Sequence, residues 1–321
     1  MILEHIKLRD RINDLLFPAA TDRWLTFLRV GLGLQILFYC LSLRRDWNTL
    51  FSGEGSAFVS RDLTEAILKI DNPFGPQIGW FVALGGHIGV GEPTTLSILW
   101  LLLVAAGGGL VLGVFCRSSA AIAWLLHLCA AKSGDFFAYG LDNLMTIGLF
   151  YLAIAPLPGG FALDSKLWRA KQINPARLGF HRRLLQLHLC VIYFFSGLTK
   201  CLGAGWWNGA SIWRALTRPP FNVIPLDLLS SWQFVFPFLG IAVCVIETGY
   251  PVFIWPRRTR LVWLVCILGM HIAIGLSMGL LLFASIMLVL NVAAFGPGSS
   301  LTARERASAD LGPNAPAVPL F

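Results

Sequence analysis

Charge is scarce in this chain. Of its 321 residues 13% are Asp, Glu, Lys or Arg and 56% are hydrophobic, where an ordinary soluble domain carries about a quarter charged residues. That balance, with a mean hydropathy of +0.69, excludes a water-soluble monomer. Paired cysteines are missing too. Cys40, Cys116, Cys129, Cys190, Cys201, Cys244 and Cys266 include no C-x-x-C and no Cys/His metal spacing, so neither a disulfide framework nor a metal site is expected. They read as small buried hydrophobes. The first 17 residues, MILEHIKLRDRINDLLF, have no unbroken apolar core and no small-residue cleavage site, which argues against a secretory signal. The net charge of +8 is spread through short connections rather than gathered into a basic patch with exposed aromatics, so no nucleic-acid partner is expected. No inverted repeat with matching loop lengths is present, which weakens a transporter reading.

What is there is a series of long apolar runs. A membrane helix needs about 20 apolar residues, and eight runs approach that: 24–43, 94–115, 118–133, 140–158, 184–202, 233–255, 261–278 and 280–296. Residues 74–92 are apolar but rich in glycine and carry Pro76 and His87. They read as a re-entrant or interfacial piece, with a ninth span as the alternative. The expected fold is an all-α polytopic transmembrane bundle of eight or nine spans over 23–296. Before it, 1–22 form an amphipathic segment with Ile2, Ile6, Ile12, Leu15 and Leu16 interleaved with Lys7, Arg9 and Arg11, suited to an anionic membrane surface. After it, 297–321 carry four prolines among Ser, Ala and Gly and read as a disordered tail. Sixteen Lys and Arg fall in connections on the N-terminal side and seven on the other. The positive-inside rule then puts both termini in the cytoplasm of a bacterial-type inner membrane.

Ionisable groups inside a bilayer are costly and call for an explanation. Arg29, His188, Lys200, Glu247 and His271 are such groups. Arg29 and His188 read as snorkelling or helix-linking residues, and His188 is about 18 Å along the helix from Lys200. Tyr193, Ser196, Gly197 and Lys200 share one helical face, with Gly197 leaving room for another backbone or a flat ligand. A lysine desolvated on that face could serve as a general base, or it could snorkel to the headgroups beside a belt formed by Trp206, Trp207 and Trp213. Glu247 needs a buried partner, for which Lys200, Arg29 and His271 are available. His271 reads as a strut or a site residue. Asp135 and Tyr139 fall on the Lys200 side of the bundle, where Asp142 and Asn143 could simply cap the next helix. Gly107 to Gly109 and Gly113 read as close helix packing.

The run Tyr193-Phe194-Phe195-Ser196-Gly197-Leu198-Thr199-Lys200, followed by Trp206, Trp207, Asn208 and Gly209, resembles the signature of the vitamin K-dependent gamma-carboxylase membrane domain. That domain is also called the horizontally transferred transmembrane (HTTM) domain. FLRVGLG at 27–33, Glu247 with Tyr250, Pro251 and Trp255, and His271 with Met278-Gly279-Leu280 and Phe283 extend the resemblance over about 20–296. It implies a reduced menaquinone or other vitamin K-like quinol and oxygen as co-substrates, with carbon dioxide if carboxylation follows. In that family the lysine matching Lys200 deprotonates the quinol. Reaction with oxygen then gives a strong base that takes a substrate proton and leaves a quinone epoxide. The implied catalytic set is Lys200, Asp135 and Glu247, and the implied cofactor-binding set is Tyr193, Ser196, Gly197, Trp206, Trp207, Asn208, Tyr139 and His271. Aligned on Tyr139-Gly140-Leu141, Asp135 stands where the family's carboxylase has a histidine. The large lumenal part that binds the carboxylase's protein substrate is not expected in this chain. Bacterial relatives of the domain help mature secreted peptides, which leaves a peptide substrate, or a non-catalytic role in peptide maturation or export, as the alternative.

Overall fold

The computed structural model describes residues 15–53, 59–167 and 173–297. Most of the amphipathic N-terminal segment and nearly all of the proline-rich tail lie outside the described residues. Among those described, all regular structure is helical. Eleven helices frame the site and its surroundings: α1 Arg23–Ser42, α2 Arg61–Asp71, α3 Ile78–His87, α4 Glu92–Leu112, α5 Cys116–Ser133, α6 Gly140–Ile154, α7 Pro175–Cys201, α8 Ala210–Thr217, α9 Phe236–Phe253, α10 Arg257–Met278 and α11 Leu281–Phe295. Each of the eight apolar runs becomes one helix. Five helices are long and apolar enough to cross a membrane: α1, α4, α7, α10 and the Gln233–Phe253 segment that contains α9. The eight or nine expected spans are thus met in length and composition by five. Arg117, His127 and Lys132 dilute the apolar content of the 18-residue α5, and α6 and α11 have 15 residues each. Helix α3, with 10 residues, is about 15 Å long, half of a hydrocarbon core of about 30 Å, so the stretch 74–92 does not form a ninth span.

Local chemistry sets the helix ends. Asn174 Oδ1 accepts the Ala176 N–H at 2.8 Å with Pro175 as the first helical residue, a combination that opens helices. Gly113 and Gly279 close α4 and α10 at φ 74° and 72°, a conformation that costs glycine little. Asp142 accepts the Tyr139 N–H at 2.9 Å and caps α6.

The eight long helices alternate in direction. Arg29, early in α1, donates to Leu110 O near the end of α4. Arg182, early in α7, donates to Ala294 O at the end of α11, and the Ala20 N–H reaches Pro175 O. These contacts gather the starts of α1, α5, α7 and α10 at one end of the bundle. Lys200, Tyr139, His271, α2 and α3 lie at the other. Helix α11 packs against α1, α6, α7 and α10 and so joins the halves. Gly33 and Gly107 let α1 and α4 touch: a Cβ on Gly33 would sit 2.9 Å from Gly107 O. Gly107 and Gly109, where a Cβ would sit 2.9 Å from Ile36 Cγ2 and 2.5 Å from Ser119 Oγ, therefore serve packing, whereas a Cβ on Gly108 would meet nothing within 4 Å. Arg29 is wholly buried and also donates to the carbonyls of Gly160 and Phe161 at 3.2 and 3.3 Å, while His188 bonds Tyr151 at 2.9 Å. Both are helix-linking residues.

Candidate functional site

The face of α7 that carries Tyr193, Gly197 and Lys200 turns against α9. A Cβ on Gly197 would lie 2.6 Å from Thr248 N and 2.9 Å from Glu247 Cβ. The gap left by this glycine is filled by the backbone of α9, not by open space for a ligand. That approach brings Glu247 beneath Lys200: Nζ stands 2.6 Å from Glu247 Oε2 and 2.6 Å from Ser196 Oγ. The side chains are 21% and 7% exposed. Of the three partners open to Glu247, the fold selects Lys200. The lysine is therefore not a lone desolvated amine but one half of an inter-helix ion pair. Trp206 lies over it, with Nζ 5.4 Å from the ring centroid, a geometry attractive to a cation.

One turn deeper than Ser196 and Glu247, a second polar layer crosses four helices. Asn291 Nδ2 donates to the Tyr193 hydroxyl at 2.8 Å, and that hydroxyl is 2.9 Å from His271 Nε2. With the Asn291 amide donating to the tyrosine oxygen, the assignment that gives the tyrosine proton an acceptor has Tyr193 O–H donating to Nε2 and the histidine proton on Nδ1. His271 Nδ1 is buried and has no hydrogen-bond partner among the described residues. Tyr250 donates to Asn291 Oδ1 at 2.8 Å and its ring lies 4.3 Å from that of Tyr193. Helical spacing and the family resemblance bring Tyr193 and His271 to the site but not Asn291, although a lone amide in an apolar run is itself a signal of inter-helix bonding.

The remaining expected residues lie around this centre. Trp207 Nε1 donates to Cys201 O at 2.7 Å. Asn208 Oδ1 accepts the Ala210 N–H at 3.0 Å and opens α8. Asn208, Gly209, Ala210, Trp213, Gln233 and Phe236 line an open cavity of about 390 Å³. Tyr139 caps α6; burial, with the Asp142 charge, lifts its phenol to about 12, so it is not an anion at neutral pH. Its neighbour Gly140 faces Phe283, whose ring is 5.7 Å from that of His271. Asp135 is exposed on the turn after α5. No hydrogen bond among the described residues joins Asp135 or Tyr139 to the Lys200 pair. Asp142 does cap its helix, and it also lies 3.8 Å from His127 Nε2. His127 is wholly buried and bonds Thr146 at 2.9 Å. Helical spacing around Lys200 does not reach it, although a histidine inside an apolar run invites the same question as His271.

Fold and site together define an all-helical bundle with membrane-length apolar helices, joined near one end by a lysine–glutamate pair over a tyrosine–histidine–asparagine layer. Comparison with protein-family models, with curated proteins and with solved structures gives no match.

Proposed function

We propose that the chain is a membrane-embedded, quinol-dependent enzyme of the epoxidase or carboxylase type resembling the vitamin K-dependent gamma-carboxylase membrane domain, with Lys200 as base. The observation that carries the reading is the placement of Lys200 Nζ, 2.6 Å from both Ser196 Oγ and Glu247 Oε2, on the helix that also carries Tyr193 and its bond to His271. Glu247 can take the Nζ proton across that distance and leave an amine lone pair, the form a general base requires. Ser196 holds Nζ in place, and Trp206 screens it from one side. The donor set suits a flat phenolic molecule: His271 Nδ1 is a buried ring nitrogen without a partner among the described residues, which in the assigned tautomer a phenolic oxygen would satisfy, and exposed Phe194 and Phe195 provide apolar surface on the helix of Lys200. A bound menaquinol-like quinol would supply, with oxygen, the oxidising equivalents and the strong base; carbon dioxide is the further co-substrate where carboxylation follows. Trp207, Asn208, Tyr139 and Asp135 belong to the same end of the bundle, and the cavity beside Asn208 is the place for a peptide or protein substrate.

The eight alternating helices form the spans of this reading, and the N-terminal end faces the cytoplasm of a bacterial inner membrane. Arg182, Arg183 and Arg260 crowd that end closely enough for their charges to interact, in keeping with the positive-inside rule.

A second reading is favoured by how completely Lys200, Glu247, Tyr193, Asn291 and Tyr250 satisfy one another. It makes them struts of a non-catalytic membrane partner in peptide maturation or export. Lys200→Arg separates the two, because arginine keeps a charge opposite Glu247 but does not give up its proton. The purified protein in vesicles, supplied with reduced menaquinone and oxygen, should form quinone epoxide detectable by mass spectrometry, and Lys200→Arg should not. Failure of the wild type to form epoxide, with biological activity retained by Lys200→Arg at wild-type protein level, would leave the strut reading.

A further inference from the structure

Helix α2 is built inside out. At 100° per residue, Arg61, Thr64 and Glu65 share one face and Leu63, Ile67 and Ile70 the opposite one. A helix on a water-soluble protein turns its apolar face inward; α2 does the reverse. Arg61, Thr64 and Glu65 are each 4% exposed, whereas Leu63, Ile67 and Ile70 are 53%, 43% and 80% exposed. The buried polar face has fixed partners. Arg61 donates to Phe51 O at 3.2 Å and to Glu92 at 3.0 Å. Glu65 Oε1 accepts from Ser133 Oγ at 2.5 Å and from the Gly79 N–H at 3.0 Å. The orientation is therefore locked by hydrogen bonds to the bundle and is not a free rotation of an exposed loop. The outward stripe does not stop with α2. Phe74 in the connection is exposed too, and Trp80 and Leu84 on α3 with Ile88 at its C-cap recur at four-residue spacing, all exposed. Asp62 and Lys69 sit about a quarter turn from the stripe and are exposed as well.

We infer that α2 and α3 form a hairpin lying along the edge of the bundle within the bilayer, with the outward stripe among the acyl chains of the leaflet at the Lys200 end. Three observations select lipid as the occupant. The stripe is followed in the chain by α4, a membrane-length helix that packs against α3 and whose own residues Ile98, Leu101 and Leu102 are exposed, so exposed apolar residues lie on both packed neighbours. The charged flank with Asp62 and Lys69 lies to one side of the stripe, as a helix at the headgroup boundary requires. Trp80, an indole with an apolar body and a polar N–H, suits that boundary. The α2–α3 hairpin is then part of the membrane body of the protein and not a water-exposed lid.

The test uses the full chain, with the two incompletely buried cysteines, Cys201 and Cys266, replaced by serine. Nitroxide labels are placed at Ile67→Cys, Ile70→Cys and Lys69→Cys, and each protein is reconstituted in phosphatidylcholine–phosphatidylglycerol vesicles. All three positions are exposed, and a gel-filtration profile matching the unlabelled protein confirms folding of each. The 67 and 70 labels should collide several-fold more often with oxygen, which concentrates in acyl chains, than with a water-soluble nickel chelate, and the 69 label should show the reverse. Free access of the chelate to 67 and 70 would overturn the inference in favour of a water-facing loop. Protection of both from oxygen and chelate alike would overturn it in favour of a protein partner or a second copy covering the stripe.

Discussion

Removing Lys200 and removing Glu247 leave different things behind. Lys200→Ala strands a carboxylate that is 7% exposed, whereas Glu247→Gln leaves a lysine that is 21% exposed and can reach polar surroundings with its long stem. Loss of one partner of a buried pair costs about 3–5 kcal/mol. Lys200→Ala should fall in that range and Glu247→Gln below it, as measured by heat unfolding in detergent. Lys200→Arg should stay near wild type, which is why it is the better probe of chemistry. In the deeper layer, Tyr193→Phe leaves His271 Nε2 without a partner and should cost about 1–3 kcal/mol; Tyr250→Phe frees only one amide oxygen and should cost less. The spacing of Tyr193, Ser196, Gly197 and Lys200 made one face of the site legible in the sequence, because 3.6 residues per turn fixes which residues on one helix are neighbours. What crosses between helices was not legible. Glu247 had three available partners by composition, and only the packing of α9 on Gly197 decides among them. Asn291, which holds Tyr193, lies 98 residues away in the chain.

Glycines that look alike in sequence differ once elements are packed. Gly197→Ala would press a methyl group against the backbone of Thr248 and should lower stability while weakening the Lys200–Glu247 bond. Gly108→Ala meets nothing within 4 Å and should be neutral or stabilising by up to about 1 kcal/mol through helix propensity. The turn between α4 and α5 carries a pH dependence. Asp164 accepts the N–H groups of Phe115 and Cys116 at 2.9 and 2.8 Å. Slight burial alone would raise its carboxyl, but these bonds together with the Arg29 charge outweigh it and hold the group below the ordinary 3.8. A depressed carboxyl contributes stability that is fully present above its unfolded value and lost as pH falls through its folded one. Asp164→Asn should therefore flatten the acid limb of a melting-temperature profile and leave the neutral region little changed in slope. Hydropathy made all eight long helices legible but misplaced some of their ends. It began the fifth run at 184 because Arg177, Arg182 and Arg183 dilute the apolar signal, whereas Asn174 and Pro175 mark the true start. It carried the fourth run to 158, past Pro156, where the helix has already ended at Ile154. Helix α2 went unread because its apolar residues are too few and too spaced to raise a window average.

Across the whole molecule, the even number of alternating long helices puts the start of α1 and the end of α11 at the same end. The Leu163–Leu167 helix lies there as well. A cysteine introduced at Ser165 should react with a membrane-impermeant maleimide only after the cytoplasmic face is opened; labelling in intact cells would invert the orientation and move Lys200 to the inner face. The shortness of two neighbours, α6 and α11, has a mechanical outcome. At 15 residues each they are about 22 Å long, less than a hydrocarbon core of about 30 Å. They pack together, but α11 is enclosed by α1, α6, α7 and α10 with Leu281 as its one exposed large apolar residue, so the shortfall falls inside the bundle and not against lipid. In the membrane-embedded reading proposed above, the end of this short pair at Gly140 and Leu281 lies one aromatic ring from His271. A recess at that end would shorten the path that a polar molecule has to travel from the aqueous phase to the buried layer.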